Sequence, residues 1–459
     1  MILEQHYLDC LSQASYLIGD ESTGRAVVVD PRRDVSDYLK SASEHGLEIE
    51  LVVETHFHAD FLSGHLELAA ATGAEIAYGS VAETEFESRK LADGERIELG
   101  EVVLEVRHTP GHTPESISLV VYEHADDEEP YGVLTGDALF IGDVGRPDLM
   151  SAEGVSAETL AGQLYDSVHQ QLMSLPDATR VYPAHGAGSS CGKNLSTDTW
   201  STIGSQRVDN YAVQPMTKES FIQVVTDGQT APPAYFAYDA ALNRTDHEIL
   251  DETSPPPPLA LGDVLRALGE GAYVLDSRDP NEFAAGHLIG SINIGLSGRY
   301  AEYAGGILEP GTPIVLVVEP GVELEAKNRL ARIGFDTVIG FLDDPIRALA
   351  ENPSEVVTSK RYDVAALNQV MAEVGDLQLV DVRQPGETEG GTIPDATEIP
   401  LTMLNQLMST LDPSKPTVVY CAGGYRSSIA ASTMLAAGFG DVADLLGGYG
   451  AWHTAVAAG

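Results

Sequence analysis

Apolar residues in this chain come in short runs, and those in the first half end in a residue of a particular kind. Leu51-Val52-Val53, Val102-Val103-Leu104-Glu105-Val106, Tyr131-Gly132-Val133-Leu134-Thr135 and Arg180-Val181-Tyr182-Pro183 read as strands. They lead into Thr55-His56-Phe57-His58-Ala59-Asp60-Phe61, Thr109-Pro110-Gly111-His112, Gly136-Asp137 and Ala184-His185-Gly186. Gly and Pro beside these residues fit tight loops rather than helix interiors. Strands that each finish in an imidazole or a carboxylate can gather those groups at one sheet edge.

The second half of the chain repeats itself. Tyr273-Val274-Leu275-Asp276-Ser277-Arg278 recurs as Gln378-Leu379-Val380-Asp381-Val382-Arg383, and Leu330-Ala331-Arg332-Ile333-Gly334-Phe335 as Leu435-Ala436-Ala437-Gly438-Phe439. Between the halves lies Asp251-Glu252-Thr253-Ser254-Pro255-Pro256-Pro257-Pro258, an acidic, Pro-rich stretch expected to be a semi-rigid linker. Two units of about 100 residues with alternating strands and helices predict two α/β domains with mainly parallel sheets. The expected division is a metal domain over 1–245, a linker over 246–258, and α/β domains over 259–357 and 358–459.

Two imidazoles and a carboxylate within five positions suit zinc or iron rather than magnesium or calcium. The four segments, in this order, resemble the metallo-β-lactamase superfamily, whose two-metal hydrolases usually read HxHxDH. Here the final position is Phe61, which cannot bind a metal, so a single-metal site is expected. Within that superfamily the chain looks most like the persulfide dioxygenases. That resemblance implies an αββα sandwich and one non-haem Fe(II) per chain, held by His56, His112 and Asp137. His58, Asp60 and His185 would then orient the ligands and hydrogen-bond metal-bound water. The segment from Gly142 to Leu149 also resembles this family, with Arg146 expected to anchor an anionic substrate or an internal carboxylate.

Both later units look like rhodanese modules. In the second, the strand Val418-Val419-Tyr420 ends at Cys421, followed by Ala422-Gly423-Gly424-Tyr425-Arg426 and a helix. Backbone N–H groups of such a loop form a nest for an anion, favouring a thiolate or persulfide at Cys421. The resemblance makes Cys421 the sulfur carrier, Arg426 the residue closing the cradle, and Gly423, Gly424 and Tyr425 its substrate-binding wall. Related phosphatases use the longer Cys-x5-Arg loop; the Cys-x4-Arg spacing here suits sulfur. The first unit has Val318-Glu319-Pro320-Gly321-Val322-Glu323 at this place, a connection expected to be about two residues shorter and without a thiol, so it is expected to be a spacer or docking module. Cys191 lies in a Gly/Ser-rich loop after His185. It could accept sulfur from a persulfide with Lys193 favouring the thiolate, or be a small loop residue. Cys10 is expected to be structural, in an N-terminal strand.

Composition narrows the partners. Lys plus Arg total 26 against 70 Asp plus Glu, a formal charge of −44. Such a surface repels phosphate backbones and anionic membranes, so no nucleic acid and no membrane partner is expected. The Arg bias among few cations resembles proteins from salt-rich cytoplasms. No run reaches the roughly 18–20 apolar residues of a membrane span. The start, Met1-Ile2-Leu3-Glu4-Gln5-His6, has no basic region followed by an apolar one. With only three separated cysteines, a cytoplasmic protein with reduced thiols is expected.

The resemblance implies oxidation of a low-molecular-weight thiol persulfide by dioxygen to sulfite. Cys421 would then pass sulfur to sulfite, giving thiosulfate in sulfide detoxification. Relatives of this kind are often dimers or tetramers. The competing reading is a two-zinc thioester hydrolase resembling glyoxalase II, with accessory rhodanese domains; a non-enzymatic alternative makes Cys421 a persulfide sensor.

Overall fold

A computed structural model describes residues 1–458; Gly459, the end of the expected 358–459 domain, lies outside the described residues. The chain divides into two compact units. One holds Met1–Asp251 with Ala331–Gly334, and the other holds Glu252–Leu330 with Phe335–Gly459.

The N-terminal unit is built on two six-stranded sheets. β1 (Ile2–Leu8), β2 (Gln13–Asp20), β3 (Arg25–Val29), β4 (Glu48–Val53), β5 (Glu75–Gly79) and β6 (Arg89–Leu91) follow one another in spatial order. The second sheet runs β12 (Ser201–Thr202), β11 (Arg180–Pro183), β10 (Gly132–Gly136), β9 (Ile117–Tyr122), β8 (Val103–His108) and β7 (Arg96–Glu98). Side-chain alternation divides each strand between two cores. Val27, Val29, Leu51 and Val53 face Leu104, Val106, Leu119 and Val121 across the sandwich. Their neighbours Val28 and Val52 turn outward against Tyr38, Ala42 and Leu68 of the helices Ser36–Glu44 and His65–Thr72. On the other outer face, Val120, Val133 and Val181 pack on Leu160-flanking Ala161 and Leu164 and on Phe221. These belong to the helices Ala157–Asp166 and Lys218–Thr226. The result is an αββα sandwich. Strand runs that are apolar at every position are therefore explained by burial on both faces.

The C-terminal unit contains two parallel five-stranded sheets. The first joins β13 (Pro258–Leu259), β14 (Tyr273–Asp276), β16 (Ile292–Asn293), β17 (Ile314–Val317) and β18 (Val338–Leu342) in the order β13-β18-β17-β14-β16. A short pair, β15 (His287–Leu288) with β19 (Val356–Val357), closes its side. The second sheet is β20-β24-β23-β21-β22, from β20 (Lys360–Tyr362), β21 (Gln378–Asp381), β22 (Thr397–Glu398), β23 (Thr417–Tyr420) and β24 (Val442–Leu445). The internal repeat is thus a repeated fold, down to the buried pairs Arg278–Asp276 and Arg383–Asp381.

Three expectations change. Cys10 sits in a turn after β1, half-buried, rather than in a strand. The end of the expected linker is a strand, since Pro258 and Leu259 pair with Phe341 and Leu342. In the first α/β repeat the strand-to-helix connection is not shorter. Residues 318–322 join β17 to the helix Glu323–Ala331, one more than the four (421–424) that join β23 to the helix Tyr425–Ala436.

Candidate metal centre and thiol cradle

The sandwich brings the ends of β4, β8, β10 and β11 to one edge, and the loops beyond them carry His56, His112, Asp137 and His185, all buried. Asp137 Oδ2 lies 3.8 Å from His56 Nε2 and 3.4 Å from His112 Nε2. His56, His112 and Asp137 form a trio that could hold a metal ion. Hydrogen bonds at the far nitrogens aim both imidazoles. Thr55 donates its hydroxyl to Asp30 Oδ2 at 2.8 Å, so its oxygen accepts from His56 Nδ1 at 2.9 Å. His112 Nδ1 donates to the Arg146 carbonyl at 2.8 Å. Each ring is left with its Nε2 lone pair toward Asp137, the tautomer a metal ligand needs. His56 Nε2 and Asp137 Oδ2 are buried without a hydrogen-bond partner, an arrangement that a cation at this point would satisfy.

Glycines permit the close approach. Gly136 has φ +51°, and a Cβ there would meet Thr55 Oγ1 at 2.7 Å. A Cβ on Gly145 would lie 2.0 Å from the Asp137 carbonyl oxygen and 3.0 Å from His112 Nδ1. The loop after His56 is fastened by Asn243, whose side-chain amide donates to the His58 and Phe61 carbonyls and accepts from Ser63 N–H.

His58 lies beside the trio, its ring centroid 4.2 Å from that of His56, but it directs a nitrogen elsewhere. Its Nε2 stands 3.1 Å from Asp30 Oδ1 and 3.2 Å from Glu54 Oε2, and Phe61 lies against its other side with ring centroids 4.3 Å apart. Burial alone would lower its pKa, but Asp30 and Glu54 push it up to about 10, so the ring is a cation. Burial, with His58 beside it, holds His56 well below its ordinary value and keeps it a neutral imidazole. A second buried trio adjoins the first: Asp60, His185 and Cys191. His185 joins the two, with Nδ1 2.8 Å from Asp137 Oδ1 and Nε2 2.7 Å from Asp60 Oδ2. Against burial, these two carboxylates raise the His185 pKa well above its ordinary value.

Arg146 takes the second of its two expected parts, and Lys193 plays a part that was not expected. The Arg146 guanidinium is buried and binds Asp148 with bonds of 2.7 and 2.8 Å. It also donates to the Ser190 and Thr230 carbonyls, so an internal carboxylate and two loops use up its fork. Lys193 does not favour a Cys191 thiolate, because its ammonium donates to the Val224 and Asp227 carbonyls. Burial foremost, then Asp60 and Asp137, push the Cys191 thiol well above its usual value. The residues missed were Asp30, Glu54, Thr55 and Asn243. Asp30-Pro31 after the run Ala26-Val27-Val28-Val29 carried the same signal of a strand ending in an acid beside a Pro.

In the second α/β repeat, Cys421 is buried at the end of β23, and Gly424 N–H donates to its Sγ at 3.0 Å. Gly424 adopts φ +105°, which turns the chain into the helix Tyr425–Ala436. The Arg426 guanidinium makes two bonds of 2.6 Å to Glu387 beside the cradle. Tyr425 is half-buried, and its side chain reaches the preceding α/β repeat. Its hydroxyl lies 2.6 Å from the Gly295 carbonyl oxygen and 3.0 Å from that of Ser297. At the Cys421 position the first repeat has Val318, buried and inert.

Comparison with known proteins agrees with this architecture. The metallo-beta-lactamase superfamily matches residues 8–185, and the rhodanese-like domain matches 261–351 and 364–455. A solved metallo-beta-lactamase from Staphylococcus aureus subsp. aureus COL superposes with TM-score 0.67 and 33% identity, over 74% of this chain and 98% of that one. The chain belongs to the metallo-β-lactamase superfamily. Two rhodanese-like domains follow its catalytic sandwich. The mitochondrial persulfide dioxygenase ETHE1 of Bos taurus is 34% identical over 37% of this chain and 63% of its own length. The cytoplasmic hydroxyacylglutathione hydrolase of Arabidopsis thaliana is also 34% identical, over 39% of this chain and 66% of its own. The chain thus spans a little under two thirds of these curated relatives. The expectation of a cytoplasmic protein is overturned: the bovine, human and mouse persulfide dioxygenases it resembles are mitochondrial, although the Arabidopsis hydrolase is cytoplasmic. Among the described residues, no helix is long and apolar enough to cross a membrane.

Proposed function

We propose that the sandwich is a non-haem iron(II) persulfide dioxygenase and that Cys421 is the sulfur carrier of a coupled sulfurtransferase. The observation behind this is that His58 turns its Nε2 to Asp30 and Glu54, with the Phe61 ring tilted against it. The donors left around Asp137 Oδ2 are two imidazoles and that carboxylate, the set of Fe(II) oxygenases. Iron held there by His56, His112 and Asp137 would supply the redox chemistry with dioxygen. The chain supplies the rest. Thr55 and the Arg146 carbonyl fix the two ligand rings, and His185 holds Asp137 through its Nδ1, with its Nε2 2.7 Å from Asp60. The reaction takes a thiol persulfide, dioxygen and water to the free thiol, sulfite and two protons. At the second site, sulfite attacks the outer sulfur of a Cys421 persulfide; the S–S bond breaks, thiosulfate leaves and the Cys421 thiol is regenerated. Fusion in one chain raises the local concentration of sulfite at Cys421.

A second reading has its own observation. The Asp60–His185–Cys191 trio beside the first offers donors for a second ion, as in a two-zinc thioester hydrolase like the hydroxyacylglutathione hydrolases. Counted by donor trios alone, this reading is the better supported. Metal analysis of the anaerobically purified chain with two assays separates them. About one iron per chain and oxygen uptake on a low-molecular-weight persulfide support the dioxygenase. Two zincs per chain, thioester cleavage and no oxygen uptake reject it.

A further inference from the structure

The domain without a thiol reaches the thiol of its neighbour. Tyr425 follows Gly424, whose N–H donates to Cys421 Sγ, and opens the helix that points at the sulfur. Its hydroxyl ends on the loop 295–298 of the cysteine-less domain, where the Gly295 and Ser297 carbonyls share its proton. The alternate carbonyls of that loop, Leu296 and Gly298, accept from Arg329 at 2.5 Å each. Arg329 is buried on the helix Glu323–Ala331 of the same domain. Two more contacts run alongside. The Tyr303 ring lies 5.5 Å from the Tyr425 ring, and Asn293 N–H donates to Ser432 Oγ further along the Cys421 helix. A Cβ on Gly295 would sit 3.4 Å from the Tyr425 ring, so this loop lies close against it.

We propose that the cysteine-less rhodanese-like domain is a positioning element for Cys421, acting through Tyr425 with Arg329 bracing the loop that holds it. The proposal rests on the reading of Cys421 as sulfur carrier. The first residue of a helix sets the direction of the N–H groups just before and after it, and their effect on an anion falls off within one turn. Gly424, at φ +105° and without a side chain, does not stiffen the connection itself. The Tyr425 tether does so from outside. Without it, the Gly424 N–H is free to swing off the sulfur, and the sulfur loses its stabilising donor.

The test uses the full chain with Y425F and R329Q, singly and together. Cys421 alkylation by iodoacetamide is followed by peptide mass spectrometry, and sulfur transfer from thiosulfate to cyanide by thiocyanate formation. Each single variant is expected to slow Cys421 alkylation and kcat by roughly fivefold, the effect of one net hydrogen bond, with KM for thiosulfate unchanged. The double variant is expected to be no worse than either single one, since both cut one tether. A purely structural role would lower the melting temperature and leave alkylation at 20 °C as in the parent. Unchanged alkylation and kcat in R329Q overturn the proposal, even if Y425F is impaired. A parent protein that is alkylated at Cys421 yet transfers no sulfur refutes the sulfur-carrier reading instead, and the alkylation comparison still decides the tether.

Discussion

Arg146 distinguishes a residue that binds substrate from one that holds the metal site together, and R146K separates the two. The guanidinium is 1% exposed and makes four hydrogen bonds: two to Asp148, one to the Ser190 carbonyl and one to that of Thr230. Its own backbone lies between two parts of the site, the carbonyl accepting from His112 Nδ1 and the N–H donating to the Cys191 carbonyl. Lysine keeps the charge but has no planar fork to serve a carboxylate and two carbonyls together. Breaking a buried ion pair costs about 3–5 kcal/mol. The Asp148 side chain is 26% exposed and the lysine ammonium can still reach one partner, so about 2–3 kcal/mol is expected. For a domain of this size that lowers the melting temperature by roughly 5–10 °C. Loosening the segment also frees the His112 ring, and loss of such a partner costs roughly 10–100-fold in metal affinity. Calorimetry and a chelator competition on the metal-loaded chain read these two effects, with persulfide kinetics in parallel. A variant with parental melting and metal affinity but a raised KM would refute this reasoning and restore Arg146 as a substrate anchor.

Two further perturbations test other parts of the molecule. F61H replaces a buried ring that covers His58 with a ligand-type side chain, at a cost of about 2 kcal/mol in stability; metal analysis should then rise from about one ion per chain to about two, and an unchanged count in folded protein would contradict the role given to Phe61. His287, stacked on Phe283 in the cysteine-less domain, has its pKa lowered to about 4, chiefly by burial. The unfolded chain, with histidine near 6.5, therefore binds more protons between these values. Stability from this group is full above about pH 6.5 and declines as pH falls toward 4, by about 3 kcal/mol in all. Urea unfolding of H287F against the parent across that range should show the acid-side decline shrink by this amount; parallel curves would exclude it.

The local grammar of the chain was readable because strand termini and metal chemistry are both written in short segments. A strand that ends in His, Asp or Cys beside Gly or Pro can be read from a few adjacent residues, and the repeat of Asp276-Ser277-Arg278 as Asp381-Val382-Arg383 appears as a repeated fold with the same ion pair. What lay outside that grammar were partners from distant segments. Asn243 fastens the His58–Ser63 loop from 180 residues away, and Asp148, Ser190 and Thr230 draw the Arg146 fork inward. Lys193 is near Cys191 in sequence yet spends its charge on the carbonyls of Val224 and Asp227.

By itself, the sequence determined which groups are available: two imidazoles and a carboxylate for a cation, an aromatic ring at Phe61, one thiol at the head of a helix in the second repeat and none in the first. Those are covalent facts, and strand periodicity was enough to bring them to common edges. The tertiary structure alone decided which way each side chain faces. His58 turns its Nε2 from the His56–His112–Asp137 trio because two buried carboxylates, Asp30 and Glu54, offer its cation a better neighbour than the other histidines do. Tyr425 reaches to the adjoining domain because two carbonyls there lie within reach of its hydroxyl. Orientation is set by competition among buried partners, and those partners meet only when the chain is folded.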